Sequence, residues 1–566
     1  MNQLGGFPLL TLIVAVPVLG AAIVLFLRPA RGDTLRWLAV LVASADFFIS
    51  LFLYMGWVPD LSGTVQFQDG PWPWIPSLGI QHHLAIDGVN VHLVGLTTLL
   101  APLVLLAAWP HSTSTGRATA FWVLILEAST LGALTTRDLA CFALFWLTAL
   151  VSAFLLAGLT GYPSGAAAHY IAAMAIAAVL MLACLVYLSG VRPGLDIPNL
   201  STNPLPWQTQ AWLFWAMTLA MGITSALCPF HLWYIDTQRH ASPPARVLIS
   251  VMLLNIGCCG LIRFCLPAFP LAVTRFAPAL VLLSTIGLAY AAVRALGQRT
   301  FPSALAYWNV AQMNLALIGI FSLQNLGLHG ATFLIVGRAL STAILLLVGP
   351  TQDEQQRVPS HGANPHGNAG RLVLLLGFLS ALAIPGSVEF IAQSTLVLGM
   401  MRWRWQPDNP GAPSAVWDWL WYALFAFGLL VSAWTLLRSY SHSLPSTSRP
   451  GTRRQALLTV PLLLVTLLAG VRPSVFSDMI GPTVHRLLGE IMSGLETDLR
   501  QKAPPASSPE EMPSPPSDQP DTTQWLPAHG HPPMASASIT VLGPEYVISC
   551  PARTWIAPLL LGVCPS

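Results

Sequence analysis

The chain has 566 residues, of which 54% are hydrophobic and only 9% charged, with a formal net charge of +3. Soluble domains carry about a quarter charged residues, so this composition excludes an ordinary water-soluble protein. Fourteen apolar runs of roughly 20 residues recur between 8 and 471, each long enough to cross a hydrocarbon core of about 30 Å. They predict an all-α polytopic membrane protein.

The first run (8–27) lacks the basic flank of a signal peptide and reads as a helix. After the second (35–57), the loop 58–86 alternates turn residues and aromatics. It predicts an ordered extramembrane flap, with Trp72 and Trp74 at the membrane interface and His82 and His83 solvated. Glu127 lies in the middle of the fourth run (118–136). A carboxylate at membrane depth is costly and functional by default, or else a structural group paired with a cation, for which Arg338 is the natural candidate.

The seventh run (211–231) ends in Cys228-Pro229-Phe230-His231, followed by a polar stretch and an eighth run (245–266) carrying Asn255. Proline inside a span removes a backbone donor. Hydrocarbon tolerates that only where protein or water re-satisfies the backbone, and broken helices commonly line ion paths. His231 could bond the freed backbone or relay protons near neutral pH. Asp236 and His240 fit a helix end, where aspartate is often only a turn residue.

The twelfth run (371–401) is interrupted in the same way at Pro385-Gly386. The pair predicts two discontinuous helices in an inverted-repeat architecture. Glu389 follows that break, four residues before Gln393, so both share one helix face. Glu389 could sit on the path or be a helix N-terminal carboxylate. Thr224, Asn255, Asn309, Gln312 and Asn314 are polar at depth, able to hold water and join helices but not to carry a charged proton intermediate.

Residues 1–472 are expected to form one membrane domain, 473–499 an amphipathic interfacial helix and 500–566 a disordered Pro/Ser-rich tail. The apolar piece near 555–564 is too short to span. Arginines after the first, ninth and thirteenth runs place both termini on the non-cytoplasmic side, with Arg402 and Arg404 as a counter-example. The eight cysteines form no metal-ligand spacing, and there is no phosphate-loop or dinucleotide motif. No metal site, bound cofactor or nucleic-acid partner is expected.

Several segments together resemble a known family. LAIDGVNVHL, LILEAST with Glu127, DLACFALFW with Asp138, Phe145 and Trp146, CPFHLWYID, LIRFCLP and RALSTAILLLVG resemble the antiporter-like proton-channel subunits of respiratory complex I, of the subunit M type. The resemblance covers about 1–475. It implies a fourteen-helix antiporter-like fold in the membrane arm of an NADH:quinone oxidoreductase in a bacterial plasma membrane. Other membrane subunits and the lipid bilayer would be its partners, and NADH and quinone would be used by partner subunits.

The family carries protons along buried lysines and glutamates, whose pKa values shift with burial and pairing. Here the ungapped match puts Leu147 at the fifth-helix glutamate, and Thr224 and Asn255 at lysines of the seventh and eighth helices. It puts Gln312 and Arg338 at histidines and Gln393 at the twelfth-helix charge. The one lysine of the chain is Lys502. The resemblance thus implies a degenerate subunit with Glu127, His231, Asp236, Arg338 and Glu389 as its ionisable path candidates. The alternatives are the membrane subunit of an inorganic-carbon uptake system, a cation/proton antiporter, or a non-conducting assembly subunit of another redox complex.

Overall fold

The computed structural model describes residues 8–27, 32–58, 65–107, 113–159, 161–192, 194–202, 205–349, 368–404, 415–443 and 452–502. Met1–Pro504 forms one compact unit, and the second unit, Pro505–Ser566, lies outside the described residues, as does nearly all of the 500–566 tail including its short apolar piece.

Helices α1 (Leu9–Phe26) and α2 (Gly32–Met55) lead into a hairpin of β1 (Phe67–Ile75) and β2 (Ile80–Ile86). Then come α3 (Val91–Ala107), α4 (Thr113–Thr135), α5 (Leu139–Gly158), α6 (Ser164–Val191) and the short α7 (Ile197–Thr202). The first broken pair is α8 (Trp207–Thr224) and α9 (Leu232–His240), followed by α10, continuous from Pro243 to Ala268. Helices α11 (Pro270–Leu296), α12 (Phe301–Phe321) and α13 (Asn325–Val348) precede the second broken pair, α14 (Asn368–Ala381) and α15 (Val388–Arg404). The chain continues as α16 (Ala415–Ser443), α17 (Thr452–Val471) and α18 (Ser474–Lys502).

The expected fourteen spans do not all stand as separate crossing helices. Among the described residues, ten helices are long and apolar enough to cross a membrane, or eleven if α17 and α18, bent by 71°, count as one. The breaks and the short length of α3 (Val91–Ala107) are the reasons. The run 371–401 divides into two short helices, and α8 opens with Gln208 and Gln210 before its break.

Both breaks use one backbone device. At the end of α8, Ala226 turns left-handed (φ 54°); its N–H donates to the Ile223 carbonyl (3.0 Å) and that of Leu227 to Gly222 (2.9 Å). At the end of α14, Ala383 does the same (φ 55°), its N–H donating to Ser380 (2.9 Å) and that of Ile384 to Leu379 (3.3 Å). This is the Schellman arrangement, which satisfies the last carbonyls of a helix, here with alanine where glycine is usual. A shared ending at matching places agrees with the two halves being one repeated unit.

Helix α12 is buried along its whole length and α10 over all but its first turn, whereas α6 is mostly open at the periphery. Helix α10 widens into π turns at Ile249–Leu253 and Leu261–Cys265. Such turns loosen the regular ladder and free carbonyls, often at functional positions. The flap is a two-stranded hairpin, with Trp72 and Trp74 exposed and the Thr11 backbone N–H donating to Asp69 (2.8 Å). The solvated reading fails for His83. It is buried, with Nδ1 3.1 Å from Asp196 and Nε2 2.8 Å from the Gln68 amide, because the hairpin folds down onto the α4–α5 turn. His82 is half-buried, stacked on Trp72 with ring centroids 5.5 Å apart.

Candidate ion path

The centre of the bundle is built around Arg338 of α13, which is fully buried. Its Nη2 donates to the Asn255 side-chain oxygen (2.6 Å), and its Nη1 to the Asn309 side-chain oxygen (2.8 Å) and the Ser250 carbonyl (3.0 Å). Ser250 lies in the first π turn of α10, which explains a carbonyl turned toward a side chain. Asn309 also accepts from the Thr342 hydroxyl (2.7 Å), and the Ser250 hydroxyl joins Tyr234 and Gln238 of α9 (both 2.8 Å). One guanidinium thus ties α10, α12 and α13 together. A buried cation normally needs an anion; here neutral oxygens receive its Nη1 and Nη2 N–H groups, and Nε finds no partner among the described residues.

Arg338, the candidate partner of Glu127, does not hydrogen-bond it: the guanidinium is committed to the two asparagines and Ser250, while Glu127 lies within electrostatic reach of Asp46 of α2. Both carboxyls are fully buried, and neither finds a hydrogen-bond donor among the described residues. Asp46 was legible, since it interrupts the apolar run 35–57 as Glu127 interrupts 118–136, and the membrane-depth argument applies equally to both.

Glu389 is fully buried in the first turn of α15, within electrostatic reach of Arg338 but not hydrogen-bonded to it. Ser341 lies beside it, with its hydroxyl paired to that of Ser380 (2.9 Å). The approach requires Gly337, where an added Cβ would stand 2.9 Å from the Glu389 Cγ. One turn on, the Gln393 amide donates to the Gln312 side-chain oxygen (3.5 Å), and the Gln312 amide to Ser432 (3.4 Å). A thin chain of amides therefore leads from α12 to α15 and α16.

At the first break, Thr224 accepts from the Trp146 indole N–H (3.2 Å) and bonds back to the Ala220 carbonyl (2.9 Å). The Ile223 carbonyl, already taking the Ala226 N–H, also accepts from the Trp233 indole (2.9 Å). His231 is buried between Tyr290 and Tyr307, near the Pro229 carbonyl, without a hydrogen bond of normal geometry. Asp236 stands apart from the Arg338 cluster, part-exposed and paired with His169 (2.7 Å) and Arg239 (3.7 Å). Leu147 is only partly buried and offers no polar atom.

A second buried arginine escaped the sequence reading as a site. Arg263, in the second π turn of α10, pairs with Asp87 (3.2 Å) and donates to the carbonyls of Leu134 and Thr136 (the latter at 3.0 Å). It welds the hairpin exit and the α4–α5 turn to α10. Its position inside LIRFCLP gives a helix residue, not the loop carbonyls it reaches.

Residues 136–407 match the family model described as NADH:quinone oxidoreductase/Mrp antiporter, TM. NAD(P)H-quinone oxidoreductase chain 4 3 of Picosynechococcus sp. is 30% identical over 405 residues, 70% of this chain and 73% of that protein. This chain belongs to that transmembrane family. NADH-quinone oxidoreductase subunit M of Rhodobacter capsulatus is 28% identical over 522 residues, covering 86% of this chain and 98% of the relative. Among solved structures, a chain of respiratory complex I from Thermus thermophilus with bound NADH superposes with TM-score 0.72 at 23% identity, over 85% of this chain and 99% of that one. A chain of the Mrp complex from Dietzia sp. gives TM-score 0.70 at 18% identity, over 86% and 99%. At these identities the two structures establish the fold.

In this chain the axis carries Thr224 and Asn255 where the resemblance implies lysines, Gln312 and Arg338 where it implies histidines, and Gln393 where it implies a charge. The geometry shows the physical consequence. Arg338 is a permanent cation held by a donor fork, whereas a lysine ammonium can lose its proton when desolvated.

Proposed function

We propose that this chain is a membrane-arm subunit of an NADH:quinone oxidoreductase-like complex, in which partner subunits use NADH and quinone, and that its own central axis conducts protons poorly or not at all. The near-complete match to a subunit M supports the complex. The observation that carries the second half is Arg338, fixed by Asn255, Asn309 and the Ser250 carbonyl on the axis between the two breaks. A guanidinium does not release its proton in a protein, and the amides at Asn255, Gln312 and Gln393 cannot hold an extra one. The chain would then act as a scaffold that preserves the channel architecture, in a bacterial plasma membrane with both termini on the non-cytoplasmic side.

A conducting reading keeps one specific support, the unpaired buried carboxyls of Asp46, Glu127 and Glu389. Reconstitution of the purified complex with a pH-sensitive dye separates the two. The scaffold reading expects Glu127→Gln and Glu389→Gln to leave proton flux per electron unchanged. A tenfold loss in either variant would sink it. Co-purifying subunits distinguish a quinone reductase from an inorganic-carbon uptake complex or an Mrp-type antiporter.

A further inference from the structure

A second polar site lies at the end of the bundle, away from the Arg338 axis. The α4–α5 turn, α7, the end of α10 and α18 line a shallow cleft, open on one side, whose charged walls are Asp87, Arg137, Arg263, Arg486 and Glu490. Two of its arginines are already engaged. Arg263 is paired with Asp87 (3.2 Å) and Arg486 with Glu490 (3.6 Å). Arg137 is not. It is 7% exposed, its Nε has no hydrogen-bond partner, and its side chain makes no ion pair among the described residues. Asp196 is near enough to act on it but bonds His83 instead.

The backbone holds Arg137 rigidly in this position. Its N–H donates to the His83 carbonyl (2.8 Å), and its own carbonyl accepts from Ile197 (3.0 Å). Burial, and then the neighbouring Arg263 charge, pull its guanidinium below the ordinary value, with Asp196 opposing. A nearly buried guanidinium facing a cleft, with two more on the walls, has no directly bonded anion among the described residues, Asp196 and Asp87 acting on it only at a distance. Guanidinium groups match phosphate oxygens in geometry and in charge. Ile262 and Leu487 add apolar wall beside them. Helix α18, which buries Ile480, Val484 and Leu487 on one face, closes the cleft at the level where the bundle ends.

The geometry points to a binding site for a phosphate-bearing anion between Arg137, Arg263 and Arg486, with an anionic phospholipid headgroup or a soluble phosphate as its source. The site is independent of whether the central axis conducts.

The test uses the full-length chain purified in detergent and stripped of lipid, with thermal unfolding followed on adding phosphatidylglycerol, phosphatidylcholine or inorganic phosphate. A raised midpoint with phosphatidylglycerol alone identifies a lipid headgroup. A rise with inorganic phosphate as well identifies a soluble anion as sufficient. In either case Arg137→Gln raises the half-saturating concentration roughly tenfold or more, the effect of one lost charged hydrogen bond. Arg486→Gln, on the partly exposed helix, gives the same direction and decides the matter if the first variant does not fold. No anion-dependent shift, an equal response to phosphatidylcholine, or a shift that Arg486→Gln retains in full would overturn the assignment.

Discussion

The Arg338 fork makes a quantitative prediction about coupling. Arg338→Lys keeps the cation, but one ammonium nitrogen cannot replace two guanidinium nitrogens that reach Asn255 at 2.6 Å, Asn309 at 2.8 Å and the Ser250 carbonyl at 3.0 Å on two helices. A lysine placed between Asn309 and Ser250 gives up the Asn255 bond. A hydrogen bond to a charged group contributes about 1.5–3 kcal/mol, so the variant should lose about that much. Asn255→Leu should cost a similar amount, because it strands Nη2. In the Arg338→Lys background the same leucine substitution should cost under about 0.5 kcal/mol, since the bond is already gone. The double-mutant cycle therefore has an expected coupling energy of about 1.5–3 kcal/mol. Equilibrium unfolding of the four proteins in mixed micelles measures it. Additivity within about 0.5 kcal/mol would refute the claim that Arg338 and Asn255 share a strong bond.

Breaking the Arg263–Asp87 pair by Arg263→Gln should destabilise by about 3–5 kcal/mol, because it leaves a buried carboxylate without its cation, and the thermal midpoint should fall accordingly. Gly88→Ala should loosen α18, since the added Cβ would collide with the Met479 carbonyl beside the bond from the Gly88 N–H to Thr483 (2.9 Å); faster proteolysis between α17 and α18 would show it. Burial lowers the His82 pKa from its ordinary value near 6.5, with Asp69 opposing. The folded state therefore binds fewer protons than the unfolded chain, and hairpin stability is lost as pH falls below 6.5. The midpoint drop between about pH 7 and pH 5 should be smaller in His82→Gln, and an equal drop would remove His82 as its cause.

The elements of this fold were legible wherever apolar period or a proline carried the signal. Pro229 and Pro385 mark both breaks, and Glu389 and Gln393 fall on one helix as their spacing requires. What a helix spacing cannot carry is the partner across the bundle. Glu127 and Arg338 were each visible as ionisable groups at depth, yet their contacts depend on which faces of α4 and α13 meet which neighbours. The chain settles that by packing, placing Glu127 beside Asp46 and Arg338 between two asparagines. The hairpin was missed as strand because Gly70, Pro71 and Pro73 interrupt β1, and proline and glycine argue against a strand. The π turns of α10 left no trace, since their residues are ordinary helix formers.

Position 338 also explains how such a bundle tolerates losing its lysines. A buried guanidinium without an anion would be costly, and an axis of amides without a cation would leave donors and acceptors mismatched. The two features offset each other. Asn255 and Asn309 orient their oxygens toward Arg338, a π turn offers the Ser250 carbonyl, and Thr342 shares the Asn309 oxygen. With Asn255 standing where the resemblance implies a lysine, a second cation beside Arg338 is avoided, so the arginine and the amide fit as a matched pair. A single reversion, Asn255→Lys, should therefore place two cations within reach of one another and unfold the centre of the bundle unless Arg338 is replaced too. Rescue of Asn255→Lys by Arg338→His, and not by Arg338→Lys, is the expected pattern; a stable Asn255→Lys single variant would show that the two positions are not coupled through charge.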